Sequence, residues 1–292
     1  MSHYAVLVIG NDPEFQLAPF DENESVEPYL VGAVSDADKA SMLNFYNEKH
    51  NNKYANFEDC YTEHGDDWNG NMWKQDADGT WYEYSTYNPD SKWDWYSLGG
   101  RWSGCFIKLK EGASGVMGCN GIFNNKVGID QAYKADIDFD RIKREARERA
   151  VERYREFANK CGGSIPVLPI TWDAISHAEE YANMNWEDRR KLYHSQEAVK
   201  LWDEKVVNDG NCGFQLEDFQ CTEEEYAQRA ELNSFIPYAV LYEGEWISRG
   251  DMGYWGISYN EKYSQNEWAE KVWELINQCD DDTLFSFYDL HI

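Results

Sequence analysis

The densest group of residues able to do chemistry lies in residues 87–104, YNPDSKWDWYSLGGRWSG. Trp93, Trp95 and Trp102 offer large flat surfaces, and Arg101 can stack on one of them or fork onto a carboxylate or phosphate. Asn88-Pro89-Asp90 favours a turn, and Gly99-Gly100 permits backbone angles and close approaches that other residues resist. Two readings follow. In one, Trp93, Asp94, Trp95, Tyr96, Arg101 and Trp102 form an aromatic cage for a nucleotide or a peptide. In the other, they are a Trp-rich corner of the core in which Arg101 neutralises Asp94. A second aromatic-glycine stretch, RGDMGYWG at residues 249–256, supplies Arg249, Tyr254 and Trp255 and is expected to face the first.

Other chemistry is thinly represented. Cys60 and His64 have i,i+4 spacing with His50 before them, but no second ligand pair accompanies them, so no metal is expected. Asp289 and His291 fall on one face of a strand, as an acid/base dyad or a ligand pair, or else as a surface or packing pair. The phosphate-loop, dinucleotide, nucleophile-elbow and zinc-protease patterns are all missing. The sequence therefore assigns no catalytic residue, calls for no cofactor, and points to binding rather than catalysis.

Charge narrows the partner. With 54 Asp+Glu against 27 Lys+Arg the net charge is -27, which argues against unassisted binding of duplex nucleic acid or of an anionic membrane. Aromatic residues make up 16% of the chain, far from the composition of an acidic disordered protein, so a folded core is expected. No apolar run approaches the roughly 18 residues of a membrane span, and the first residues lack a cationic leader, so the expected location is cytoplasmic. Seven cysteines without a C-x-x-C pair are expected to be reduced.

The elements that must carry these residues are readable in part. Residues 4–9, YAVLVI, predict a strand buried on both faces, and residues 265–278 predict a helix with Trp268, Val272, Trp273 and Ile276 inward, followed by a strand over 283–288. First and last strands sharing one sheet make the chain α+β, with a mixed or antiparallel sheet, a long charged helix and a helical, loop-rich insertion. The long helix spans residues 140–160, with Asp138 or Asp140 as its cap. It carries eight cations against five carboxylates, either as a solvated face laced by i,i+4 pairs or as a counter-surface for an acidic lobe of this chain or of a second copy. A helix over residues 36–49 is predicted with Ala40, Leu43 and Tyr46, or neighbouring Met42 and Phe45, inward. Residues 51–90 read as loops and short strands, and residues 236–248 as a hairpin turning at Glu243-Gly244. The expected organisation is a β-rich region 1–135, a mainly helical region 136–230, and a strand-hairpin-helix-strand region 231–292 that completes the first sheet.

Several stretches, in order, resemble a family of uncharacterised proteins of tailed phages and prophages. They are the MSHYAVLVIG start, QLAPF at 16–20, the box leading into SKWDWYSLGGRWSG, and residues 136–141, 237–246, 250–256 and 281–292. The chain departs from the family's V-V-D-C-H-I ending by carrying Leu290 in place of the cysteine. The resemblance brings no active site. It implies an accessory phage protein in the host cytoplasm, and with the acidity this suggests an inhibitor of a host defence protein or of another nucleic-acid-handling protein. A sponge holding a nucleotide immune signal in the aromatic pocket is the alternative, followed by an enzyme acting on such a nucleotide through Asp289 and His291. The aromatic content of so polar a chain also raises the expectation of a homo-oligomer.

Overall fold

The computed structural model of the chain describes residues 2–65, 72–119, 128–253 and 256–292. Its strands are β1 (His3–Ile9), β2 (Tyr29–Ala33), β3 (Met72–Gln75), β4 (Trp81–Ser85), β5 (Trp95–Leu98), β6 (Gln131–Tyr133), β7 (Ala239–Tyr242), β8 (Glu245–Ser248), β9 (Asp251–Met252), β10 (Ser258–Tyr259) and β11 (Leu284–His291). Its helices are α1 (Pro13–Leu17), α2 (Asp36–Lys49), α3 (Phe57–His64), α4 (Phe139–Lys160), α5 (Trp172–His177), α6 (Trp186–Ser195), α7 (Glu197–Lys205), α8 (Glu223–Leu232) and α9 (Gln265–Gln278). The chain divides into two units, residues 1–13 with 96–290, and residues 14–95 with 291–292.

In the first unit the sheet runs β5-β11-β1-β7-β8, with β6 also paired to β11. β1 and β7 are parallel, whereas β7–β8 and β6–β11 are antiparallel, so the sheet is mixed and includes both terminal strands, as the sequence predicts. β1 sits between two other strands, which is why Val6, Leu7, Val8 and Ile9 are all buried. Glu243 and Gly244 both take positive φ, 53° and 80°, the backbone of a tight two-residue hairpin turn. α9 begins at a Ser264–Glu267 capping box and presses Trp268, Val272, Trp273 and Ile276 onto Leu7, Val240, Phe285 and Phe287. Burying each such side chain stabilises the fold by about 1.5–3 kcal/mol. The two indoles satisfy their N–H groups on the Pro237 and Leu232 carbonyls. The chain is thus α+β.

Within the same unit, α4 to α8 enclose a second core in which Ala150 and Phe157 meet Trp202, Phe219, Tyr226 and Ala227. Asp138 is the cap of α4, its side chain accepting from the Arg141 N–H, so the helix starts one residue before Asp140. The extended stretch before α5 is held by two glutamines. Gln220 accepts from the Leu168 N–H, and Gln196 both accepts from and donates to the Ile170 backbone.

The second unit is an antiparallel sheet, β2-β4-β3, with α2 and α3 contributing to a core of Val34, Met42, Tyr46, Tyr54, Phe57, Cys60 and Trp73. α3 is not anticipated by the sequence, which suggests only loops and strands there. Of the inward positions suggested for α2, Met42 and Tyr46 are buried and Leu43 half-buried, while Ala40 and Phe45 are exposed. The seven cysteines are free thiols, with Cys60 and Cys279 buried. Among the described residues no helix is long and apolar enough to cross a membrane.

Candidate functional site

The glycine-rich end of the Trp box is built around two buried carboxylates. Gly99, Gly100 and Gly104 all have positive φ, and a Cβ on Gly99 would stand 2.3 Å from Asp130 Oδ2, one on Gly100 2.2 Å from the Asp289 Cβ. Glycine is therefore required at both positions by close approach as well as by backbone angle. Asp130, only 1% exposed, accepts from the Ser103 hydroxyl at 2.8 Å, the Gly104 N–H at 2.7 Å and the Gly118 N–H at 2.8 Å. Asp289 accepts from the Arg101 N–H at 2.9 Å, and its other oxygen lies 2.9 Å from His3 Nδ1. A turn whose amides converge on an anion is a common phosphate cradle. Here Arg101 and Gly104 direct their amides at carboxylates of the same chain, which leaves the side chains of Arg101 and Trp102, both half-buried, as the surface of this turn.

The other sequence-selected residues have separate surroundings. Trp93 is 6% exposed and donates its indole N–H to the Leu17 carbonyl at 3.1 Å, a core residue of the second unit. Asp94 pairs with His291 Nδ1 at 2.6 Å, a partner other than the Arg101 suggested by the sequence, and Trp95, 44% exposed, stacks on the His291 ring at 5.4 Å. Tyr96 meets the edge of Tyr288 at 5.4 Å. Arg249 forms an ion pair with Glu261 at 2.8 Å. Tyr254 and Trp255 lie outside the described residues. Asp289 and His291 thus hold distinct partners, Arg101 and His3 for the first and Asp94 for the second. His64 stacks on Tyr46 at 4.1 Å and on His50 at 5.0 Å, with the Tyr54 hydroxyl 2.6 Å from its Nε2. Among the described residues no group of three or more His, Cys, Asp or Glu side chains is placed to hold a metal.

Charge is distributed unevenly. Several cations of α4 are engaged inside their own unit: Arg155 grips Glu223 with two nitrogens at 2.7 and 2.8 Å, Arg147 reaches Glu224 and Glu231, and Lys160 reaches Asp209 and Glu156. Hydrogen bonds from Lys108 and Arg141 hold Glu145 down to about 2, well below the usual 4.5. Both uses the sequence suggests for this helix are present: i,i+4 pairs join Arg141 and Arg149 to Glu145 and Lys160 to Glu156, and α8 of the same chain supplies an acidic counter-surface for Arg147 and Arg155. In residues 14–95, by contrast, 18 Asp+Glu face 5 Lys+Arg. Lys53 is bound to Glu63, and Lys49 and Lys74 lie over the rings of Phe45 and Tyr84. Glu24, Glu27, Asp36, Asp76, Asp78 and Asp90 are exposed. Hydrogen bonds from Ser35 and Thr80 hold Asp38 and Asp78 below the usual carboxylate range, so these stay charged in mildly acidic solution.

On the same unit, Leu30, Tyr84 and Met72 are in register across the three strands, and Ala33, Tyr82 and Lys74 form the next row on that face. Leu30 and Val31 are each 54% exposed. The unit thus combines an excess of carboxylates in its sequence with a partly exposed apolar sheet face.

One aromatic group was missed by the sequence reading. Trp172, Trp186 and Tyr193 line a cavity of about 510 Å³ with Asp173, Arg190, His194, Gln215, Glu217 and Asp218. The signal for it was Trp186, Arg190 and Tyr193 at i, i+4 and i+7 on one helix face. No family model matches the chain, and neither a curated protein nor a solved structure does.

Proposed function

We propose that this chain is a phage-encoded acidic inhibitor that works in the host cytoplasm by binding the basic face of a host defence protein or another nucleic-acid-handling protein. The observation that carries the reading is the excess of carboxylates over cations in residues 14–95, many of them exposed, together with the apolar face of β2, β4 and β3. A protein that grips nucleic acid presents lysine and arginine at phosphate spacing, and a field of carboxylates competes for those cations. Exposed Leu30, Val31 and Met72 add area that excludes water once the partners meet. The phage source is supported by the sequence resemblance alone.

A nucleotide sponge at the Trp box has weaker support, because Trp93 is in the core and the turn amides of Arg101 and Gly104 already bind carboxylates. The test is capture from host lysate by the immobilised full chain at about 0.05 M and about 0.5 M salt, where screening lengths differ about threefold. The captured protein is then assayed for nucleic-acid binding with and without the chain. The proposal requires a partner that elutes as salt rises and loses nucleic-acid binding in the complex. A captured partner that binds nucleic acid undisturbed would refute it.

A further inference from the structure

We propose that the corner between α5 and α6 is a binding site for an organic cation, the ammonium or guanidinium head of a lysine-like or arginine-like ligand. Trp172 and Trp186 each open a helix directly after a side-chain cap, Thr171 for α5 and Asn185 for α6, so the caps fix where the two indoles leave the backbone. The rings stand at 85° with centroids 5.0 Å apart, and Tyr193 meets Trp172 at the same angle at 5.6 Å. This edge-to-face packing spends part of the ring faces on a neighbour's edge, but Trp186 stays largely exposed and both indoles line the cavity, where open ring face attracts a cation rather than an anion.

The polar groups around the corner agree with that sign. Glu217 is fixed by two donors, the Tyr193 hydroxyl at 2.8 Å and the Trp172 backbone N–H at 3.2 Å. Burial first, and the Glu217 carboxylate second, push the Tyr193 phenol up, so it remains a neutral donor. Asp173, which lies 3.0 Å from His177 Nδ1, and Asp218 add two carboxylates, and Arg190 is the one Lys or Arg lining the cavity. His194 Nδ1 is 3.2 Å from Asp203. Three carboxylates against one guanidinium make the cavity net acidic before any ligand enters.

The chain itself shows what such a corner accepts. Lys143 Nζ lies 4.0 Å above the Trp273 ring beside Glu231, Glu270 and Glu274, and Arg153 and Arg229 lie over Phe214 and Tyr226. No such partner is found over Trp172 or Trp186: among the described residues no lysine or arginine sits over either ring. Trp186 is 67% exposed, an unusual position for the largest side chain, and a cavity of about 510 Å³ accommodates one such head group with its stem. The inference does not rest on the inhibitor reading, since a free amine and a side chain of a bound protein share this chemistry.

The experiment is calorimetric titration of the full chain with tetramethylammonium, N-acetyl-lysine methylamide and N-acetyl-arginine methylamide, and with 3,3-dimethylbutanol as the neutral shape match. Saturable binding of at least one cation is expected, with the neutral compound about tenfold weaker or worse. Trp186→Ala, at a largely exposed position, should weaken the cation about tenfold with the thermal midpoint checked alongside, and Trp186→Phe should restore part of the loss. A lysine- and arginine-rich peptide separates the sources. Tighter, Trp186-dependent binding of the peptide assigns the site to a protein side chain, and equal or weaker binding assigns it to a small free cation. Equal affinity for the neutral compound, or no binding that depends on Trp186, overturns the proposal.

Discussion

Replacing Asp130 is the sharpest probe of how the Trp box is held. Its carboxylate receives the Gly104 and Gly118 N–H groups and the Ser103 hydroxyl, so Asp130→Ala leaves two N–H groups without an acceptor and the hydroxyl with only the weakly accepting Met117 sulfur, at about 1–3 kcal/mol for each donor that water does not reach. Gly104 and Ser103 are buried and Gly118 is half-buried, which sets the loss at about 3–6 kcal/mol. Against this, the variant no longer buries a carboxylate, which recovers several kcal/mol at an imperfectly paired site but less where every lone pair is engaged. The net expectation is about 3 kcal/mol, or a fall in Tm of about 6–12 °C for a protein of this size. Asp130→Asn keeps the shape and one acceptor oxygen, and turns an amide donor toward the remaining donors, so it should fall between the two. The assay is scanning calorimetry with urea unfolding as a check. An alanine variant within about 0.5 kcal/mol of the parent would mean that the turn is not anchored at Asp130.

Other expectations follow from the same contacts. Glu145 has its folded pKa lowered to about 2 from the usual 4.5, so its ion pairs with Lys108 and Arg141 stabilise the protein above about pH 4.5, and this is lost as pH falls toward 2. That displacement corresponds to about 3 kcal/mol, reduced by solvent screening to about 1–2, and urea melts should show Glu145→Gln destabilised by that amount at pH 6 and converging on the parent at low pH. Gly100→Ala forces a Cβ to 2.2 Å from Asp289 at a φ of 52° and should cost more than 2 kcal/mol, beyond the roughly 1 kcal/mol expected at Gly112, which has positive φ and open space, in parallel thermal melts. Arg155→Ala removes an exposed pair with Glu223 and should leave the midpoint of a denaturant titration nearly unchanged, despite its two-pronged geometry.

What the sequence made legible was what depends on neighbours along the chain. The Glu243-Gly244 turn, the α4 start near Asp138 and the apolar stripe of α9 are local patterns, and each lies where the pattern places it to within a residue or two. Trp93 and Trp95 show where this ends. They would share a face in a regular strand, but β5 begins only at Trp95, so Trp93 turns into the core while Trp95 is exposed. Nothing near Asp130 in sequence announces that it receives Gly104 and Gly118, because the pairing is made by tertiary approach. α3 escaped notice because its eight residues bury only Phe57 and Cys60, too few to mark a helical period. The acidic excess of residues 14–95 was visible in composition, whereas its counterpart, the pairing of α4 cations with α8, required the fold.

The most direct test of the account is the rate at which the full chain associates with its captured host partner across a series of ionic strengths. If exposed carboxylates on residues 14–95 draw the partner in, the association rate should fall at least about tenfold between about 0.05 M and 0.5 M salt while dissociation changes less. Replacing Glu24, Glu27, Asp76 and Asp78 by their amides should flatten that dependence. An association rate indifferent to both salt and these four replacements would contradict it.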